Sequence, residues 1–267
     1  MGAAHWDMIA RAARAPAPGA DLPGRIRRRP GGVALNVALA LARAGMPTAL
    51  RAVFGDDGAG RALRGLCADA GVDTAPSLTV AGPGDSYLAI EGPTGELFAA
   101  VADTGALERA GRALIPPPGP ARLVIDGNLA PEVLAALRDR PRVVVAASPA
   151  KAAALAGLLS GALVVANRAE AEAICAAPLP DAARAARALM AHAARALVTD
   201  GPRPAALAAP GGLWTAAPLP VAGGSVTGAG DAFLAGFLAA EARGADPDAA
   251  LAAAIAAAAG HMTRSEP

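Results

Sequence analysis

Leu163-Val164-Val165-Ala166-Asn167-Arg168-Ala169-Glu170-Ala171-Glu172-Ala173-Ile174-Cys175 joins a short, unbroken apolar run to a stretch with apolar residues at helical spacing. Four apolar residues in a row suit a strand covered on both faces, and residues 169–175 suit a helix laid against it. The same unit recurs on either side. Runs rich in Val, Leu and Ile at 50–54, 123–125, 143–147 and 197–199 read as further buried strands, and helical spacing fills 33–44, 60–70, 131–138, 151–159 and 181–196. This alternation is the pattern of β-α units around a parallel sheet. Two stretches depart from it. Residues 8–29 are rich in Pro, Gly and Arg. Residues 78–104 alternate apolar and polar positions around Gly-Pro, Pro-Gly and Thr94-Gly95 turns, which reads as antiparallel hairpin strands projecting from the main sheet.

A chain of 267 residues can bury a substantial core, and the even alternation favours one domain over 1–267. With 24 basic and 23 acidic residues spread along the chain, no charge footprint of a nucleic-acid or membrane-surface binder is present. A small neutral or anionic ligand fits better. The longest apolar run, 249–259, is too short and too alanine-rich to span a bilayer, so a soluble protein is expected. Cys67 and Cys175 lie in helical stretches without metal-ligand spacing, and the N-terminal residues lack the layout of a secretion signal. A reducing cytoplasm is the expected setting. His5, His192 and His261 share no metal-binding spacing and none neighbours a candidate nucleophile, so no catalytic role is assigned to them.

Gly223-Gly224-Ser225-Val226-Thr227-Gly228-Ala229-Gly230-Asp231 feeds a helix carrying Phe233, Leu234, Phe237 and Leu238 at amphipathic spacing. Small residues at 228–230 admit a ligand close to the backbone, where unpaired N–H groups and the positive end of the helix dipole stabilise phosphate charge. Asp231 in the first turn is then placed to accept a proton from a substrate hydroxyl. On its own, the same segment also reads as an ordinary tight turn with Asp231 capping the helix.

Gly31-Gly32-Val33-Ala34-Leu35-Asn36-Val37-Ala38 supplies a partner signature near the other end of the chain. With both in place, the sequence resembles the ribokinase-like (PfkB) family of sugar and nucleoside kinases, marked by Gly-Gly-x-x-x-Asn-x-Ala and a late Thr-Gly-Ala-Gly-Asp. Residues 2–7 look like the ligand-binding end of that family's first strand. Phe54-Gly55-Asp56-Asp57 with Gly60 looks like its Gly-Asp-Asp-x-x-Gly turn, and Asn167-Arg168-Ala169-Glu170 like its Asn-x-x-Glu motif. Within the family the resemblance is greatest to pseudouridine kinases, through Gly2-Ala3-Ala4-His5-Trp6-Asp7, Asp126-Gly127-Asn128-Leu129-Ala130-Pro131-Glu132, Ser148-Pro149-Ala150-Lys151-Ala152, Gly95-Glu96-Leu97 leading to Ala102-Asp103, and Val226-Thr227-Gly228.

The resemblance implies a ribokinase-like α/β fold: a doubly wound, mostly parallel central sheet flanked by helices, with a small β lid formed from 8–29 and 78–104. It implies ATP-dependent phosphorylation, with Mg²⁺, of the 5′-hydroxyl of a nucleoside, first of all pseudouridine; another riboside or sugar, such as ribose or an adenosine-like compound, is the alternative. By the same resemblance Asp231 is the general base, and Gly228, Ala229 and Gly230 supply backbone donors. Asp7 and Asn36, with the close-packed Gly31 and Gly32, bind the sugar hydroxyls, since a carboxylate and an amide together both accept from and donate to a diol. Asn167 and Glu170 orient phosphate oxygens or Mg²⁺-bound water, Glu170 reaching the metal through water. Thr199, Gly201 and Thr227 meet the nucleotide. Asn128, just beyond the 123–125 strand, stands where open α/β sheets place their ligands and is a candidate contact to base or ribose, as are Asp103 and Tyr87 on the hairpin strands.

Singly, each position has a plainer reading: a loop cap for Asp7, a helix-start hydrogen bond for Asn36, a solvated helix face for Asn167 and Glu170, a turn for Thr199-Asp200-Gly201, and strand decoration for Tyr87. Ser225-Val226 stands where many family members carry Asp-Thr, whose acidic residue helps bind a monovalent cation, so the resemblance does not carry that cation site over. Only Met1 precedes Gly2, and the chain stops soon after Gly260-His261-Met262, so marginal stability or weak nucleotide affinity is a further expectation. A homodimer through the lid strands is expected, because exposed apolar strand edges pair across two-fold axes. Two rivals stay open: a catalytically silent ligand-binding member of the fold, and a nucleotide-cofactor oxidoreductase, which would need a Gly-x-Gly-x-x-Gly turn that this chain lacks.

Overall fold

Residues 1–221 and 228–263 are described by the computed structural model. In chain order they form β1 (His5–Ala12), β2 (Gly24–Gly31), α1 (Val33–Arg43), β3 (Thr48–Ala49), β4 (Val53–Gly55), α2 (Gly58–Asp69), β5 (Val72–Asp73), β6 (Leu78–Val80), β7 (Ser86–Glu91), β8 (Leu97–Asp103) and α3 (Gly105–Ala110). There follow β9 (Leu123–Asp126), α4 (Pro131–Ala136), β10 (Arg142–Val145), α5 (Pro149–Ala152), β11 (Leu163–Asn167), α6 (Arg168–Cys175), α7 (Ala182–Leu189), β12 (Arg195–Asp200), β13 (Arg203–Ala209), β14 (Gly212–Ala216), α8 (Ala229–Ala242) and α9 (Pro247–Met262).

The main sheet has the order β14-β13-β12-β11-β10-β9, parallel from β9 to β12 and antiparallel at its β13 and β14 edge. Strand β11 shows why an unbroken apolar run is needed. Leu163 and Val165 pack with Phe233, Phe237 and Leu251 of α8 and α9, while Val164 and Ala166 pack with Leu155, Ile174 and Leu189 on the opposite face. Alternate side chains therefore enter two separate cores, and helices cover both faces.

The second sheet has the order β2-β1-β7-β8, with β1 and β7 parallel and each outer strand antiparallel to its neighbour. Its strands fall mostly within the two stretches expected to form a lid, with three corrections. Strand β1 begins at His5, ahead of residue 8, β2 runs on to Gly31, beyond residue 29, and β6 leaves this sheet to pair in parallel with β4. The expected strand at 50–54 is also divided. Leu50 N donates to Asp73 O and Leu78 N to Ala52 O, but between them Pro76 has no N–H to offer. The Ser77 hydroxyl fills the gap, accepting from Ala52 N at 3.0 Å and donating to Leu50 O at 2.6 Å, so β3 and β4 flank a side-chain rung.

Three helices are shorter or looser than their spacing suggests. The 131–138 stretch ends at Ala136, five residues before Pro141, and the 151–159 stretch is α5 followed by a 3₁₀ segment, Ala153–Leu158. The 181–196 stretch ends at Leu189, because Ala194 and Arg195 N–H both donate to Ala162 O and turn the chain into β12.

Candidate functional site

Strand ends and helix starts converge at one edge of the main sheet. Asp126 ends β9 and is 1% exposed. Its Oδ1 accepts from Asn128 N (2.8 Å) and Asn128 Nδ2 (2.6 Å), and its Oδ2 accepts from Ala3 N (3.0 Å). Asn128 Oδ1 in turn accepts from Lys151 Nζ at 2.6 Å. Asn128 thus lies at the ligand-facing edge, as its position after β9 suggested, but both ends of its amide are already engaged. Asp126 and Lys151, both within stretches that carried the resemblance, had been given no role of their own; an acidic residue closing a buried apolar strand was the available signal.

The chain at Ala3 runs beneath the start of α1. Ala3 O accepts from Leu35 N at 3.2 Å, and a Cβ on Gly32 would lie 2.4 Å from that oxygen. Gly32, with φ 92°, is the N-cap of α1. A glycine is required there by both the left-handed backbone and the contact. One turn on, the Asn36 side chain hydrogen-bonds the Asp231 carboxylate. Gly31 packs as tightly, since a Cβ there would sit 1.9 Å from Asp7 Oδ1. Asp7 is bracketed by neighbours, with His5 Nδ1 3.1 Å from Oδ1 and Arg29 Nε donating to Oδ2 at 3.3 Å. His5, dismissed on spacing alone, is a neighbour of the predicted diol ligand, with its ring 6.4 Å from that of Tyr87.

Gly228 is the N-cap of α8 with φ 83°, and Asp231 lies in the first turn. The N–H groups of Ala229 and Gly230 fall in that turn, where helix geometry leaves them without intrahelical acceptors. Among the described residues a Cβ on Gly230 would meet nothing within 4 Å, while His261 Nε2 lies 3.0 Å from where a Gly228 Cβ would be. The Asp231 carboxyl is pushed up to about 7, first by burial; Asn36 donation opposes the rise and the Asp126 charge adds to it. Burial likewise raises Asp126, opposed by the donors from Asn128 and Ala3. Thr227, with Ser225 and Val226, falls outside the described residues.

Farther along the sheet edge, Asn167 and Thr199 are register partners at the ends of β11 and β12. Asn167 caps α6: its Oδ1 accepts from Glu170 N at 2.9 Å and Glu170 Oε2 accepts from Asn167 N at 2.8 Å, a closed capping box. Glu170 is 7% exposed and raised by burial, so the solvated-face reading is wrong for it. Gly201, with φ 58°, turns β12 into β13, and beside it Asp200 Oδ1 takes Arg168 (3.1 Å) and Arg203 (2.8 Å). Among the described residues no three His, Cys, Asp or Glu side chains cluster as a metal site. One buried carboxylate in a capping box suits a hydrated Mg²⁺ carried mainly by phosphate oxygens, not an all-protein cage.

Asp103 is not brought to this group. It pairs with Ser86, and Ser86 with Trp6, so it shares the face of the second sheet opposite Asp7 and Tyr87. There it lines a cavity of about 260 Å³ with Trp6, Met8, Arg28, Phe54 and Asp85.

Comparison with known proteins adds the family. The sequence model described as pfkB family carbohydrate kinase matches residues 1–266. No curated protein matches the chain in sequence. Among solved structures, a carbohydrate kinase from Agrobacterium tumefaciens is 29% identical with a TM-score of 0.80, covering 96% of this chain and 87% of its own. A ribokinase from Arabidopsis thaliana, complexed with ribose and ATP, is 19% identical with a TM-score of 0.84, covering 99% and 92%. Phosphofructokinase-2 from Escherichia coli is 24% identical with a TM-score of 0.78, covering 98% and 91%. The expected ribokinase-like α/β fold is therefore the one present, and with its family model matched from the first residue to the last but one, this chain belongs to the pfkB family of carbohydrate kinases and is an ATP-dependent kinase.

Proposed function

We propose that the protein transfers a phosphoryl group from ATP to the 5′-hydroxyl of a nucleoside, pseudouridine before other ribosides, working as one domain over 1–267 with the four-stranded sheet as its lid. The observation that carries the reading is Asp231, partly buried in the first turn of α8, hydrogen-bonded by Asn36 and titrating near neutrality. A base with that poise takes a hydroxyl proton at working pH. The N–H groups of Gly228, Ala229 and Gly230 face the charge on the transferring group, at a helix N-terminus that favours anions. Asp7 and Asn36 orient the acceptor diol over Gly31 and Gly32. Thr199, Gly201 and Thr227 meet the nucleotide, and Asn167 and Glu170 hold the water shell of Mg²⁺. When bound, Mg²⁺ neutralises charge on the phosphates. Asn128 and Lys151 lie where the base would be read. The free thiols of Cys67 and Cys175 suit a cytoplasmic setting, and among the described residues no helix is long and apolar enough to cross a membrane.

Pseudouridine rests on sequence motifs, whereas likeness to the ribose-bound Arabidopsis structure supports ribose as the second reading. Incubation with Mg-ATP and pseudouridine, uridine, adenosine or ribose separates them. Pseudouridine is expected to give the largest kcat/KM; a preference for ribose would remove it, and no product from any acceptor with ligand binding retained would point to a silent module.

The lid also supports a homodimer. Ile26 (71% exposed), Leu88 (42%), Ile90 (36%) and Val101 (65%) share the sheet face turned away from Asp7. Apolar side chains grouped in this way mark an association surface. Sedimentation at micromolar concentration is expected to show twice the chain mass; a monomer would refute the association.

A further inference from the structure

A fully buried carboxylate, Asp126, stands near the partly buried Asp231. Among the described residues the Asp126 side chain hydrogen-bonds neither the helix that carries Asp231 nor the one that carries Asn36, yet a chain of contacts joins it to both. Its Oδ2 holds Ala3 N at 3.0 Å, and Ala3 O holds Leu35 N in the first turn of α1 at 3.2 Å. Gly32 lies against the same Ala3 carbonyl, and Asn36 N bonds Gly32 O at 3.0 Å. The Asn36 side chain then meets the Asp231 carboxylate. The opposite oxygen of Asp126 takes both donors of Asn128.

A carboxylate is the side chain that this site demands. Three donors converge on two oxygens, and no acceptor faces them among the described residues. An amide of the same shape has one acceptor only. It can keep Asn128, but must then turn an NH₂ group towards Ala3 N, setting donor against donor. The segment that supports α1 is also held by Gly2 N on Arg51 O and by Asp126 N on Met1 O, but it would lose the one bond at Ala3 itself, and α1 would shift relative to α8. Gly2 admits no easy compensation, since a Cβ there would lie 2.3 Å from Asp126 Cβ, so chain and side chain are already in contact.

We infer that Asp126 is a positioning residue for phosphoryl transfer: through Ala3 and Leu35 it fixes the first turn of α1, and with it the placement of Asn36 against Asp231. The inference rests on the proposed role of Asp231 as base. Reactions of this kind depend on sub-ångström placement of the base, so loss of the anchor acts on turnover more than on acceptor binding.

The test compares Asp126→Asn, Asn36→Ala and the double variant in Mg-ATP assays on whichever acceptor the wild type uses. Asp126→Asn is expected to lower kcat by about 10²-fold, with KM changed far less. In the Asn36→Ala background it should cost no more than about twofold further, because the group through which it acts is gone. Full additivity of the two losses would overturn the inference, and so would unchanged kcat in Asp126→Asn. Asp126→Ser, which keeps an acceptor for Asn128, serves as the second variant. If neither variant folds by circular dichroism, Asp126 is a structural residue and the positioning role is overturned. Asp231→Asn in the same assay keeps the two ideas apart. An active wild type, an inactive Asp231→Asn and a fully active Asp126→Asn would remove the role of Asp126 alone, whereas full activity in Asp231→Asn would remove the base on which it depends.

Discussion

Asp231→Asn is expected to lower kcat by about 10³-fold and at the same time to raise the melting temperature at neutral pH. The first effect follows if the carboxylate takes the acceptor proton, since the introduced amide cannot. The second follows from the same environment. Burial lifts this carboxyl from 3.8 to about 7, so the folded protein holds its proton more tightly than the unfolded chain does. The sign is then determined: the contribution to stability is complete below pH 4, declines as pH rises through about 7, and is lost above it. Removing the charge removes that decline. A shift of this size corresponds to at most about 4 kcal/mol, and a realistic gain for the amide above pH 7.5 is about 1–2 kcal/mol, because the amide is itself a polar group. Activity runs in the opposite direction. The free enzyme needs the ionised base, so kcat/KM should rise with pH up to about 7 and level off above it. Differential scanning calorimetry at pH 5 and pH 8, with a pH–rate profile, checks both limbs. Equal turnover in the variant, or a melting difference that shrinks as pH rises, would contradict this account.

The paired glycines before α1 should respond differently to the same methyl group. At Gly32, alanine meets a backbone with φ 92° and a carbonyl oxygen 2.4 Å away. Neither can yield without moving the Ala3 strand or the helix, so Gly32→Ala is expected to cost about 3–5 kcal/mol, a fall of roughly 10 °C or more in Tm. At Gly31 the obstacle is the end of a side chain, Asp7 Oδ1 at 1.9 Å. The carboxylate can rotate, but only by leaving His5 and Arg29. Gly31→Ala should therefore fold with a smaller loss of stability and raise the acceptor KM by about tenfold or more, since one well-placed charged hydrogen bond is worth at least that factor. Thermal melts and acceptor titrations separate the two. Wild-type KM in Gly31→Ala would remove Asp7 from the acceptor site, and a melt within about 2 °C of wild type for Gly32→Ala would contradict the close approach at Ala3.

Elements differed in how plainly the sequence announced them. Strands β9 to β12 are runs of Val, Leu and Ile buried on both faces, and such strands declare themselves. Strand β13, Arg203–Ala209, is four Ala with one Leu, one Pro and one Arg, a composition with no strand signal. It is a strand because β12 and β14 supply partners on either side and the Gly201 turn delivers it between them. The length of α7 was hidden for a related reason: residues 190–196 continue the alanine pattern, and only the Ala162 carbonyl, distant in sequence, halts the helix.

The Gly228 to Asp231 turn, the paired glycines and Asn36 could be read directly, since each demands a particular residue type at a particular spacing; the fold class, the family and the residues proposed for phosphoryl transfer were legible at that level. Tertiary structure alone decided which of the polar residues face one another. Asp103 lies on the far side of the second sheet because strand register, which no local pattern reveals, sets which face each alternate residue takes. His5 is beside Asp7 for the converse reason, two residues apart on one face of β1. Asp126 acquired its place from contacts 123 residues away in sequence. Local spacing encodes local geometry, whereas the burial that raises Asp231 and the donors that surround Asp126 exist only once distant segments have closed around them.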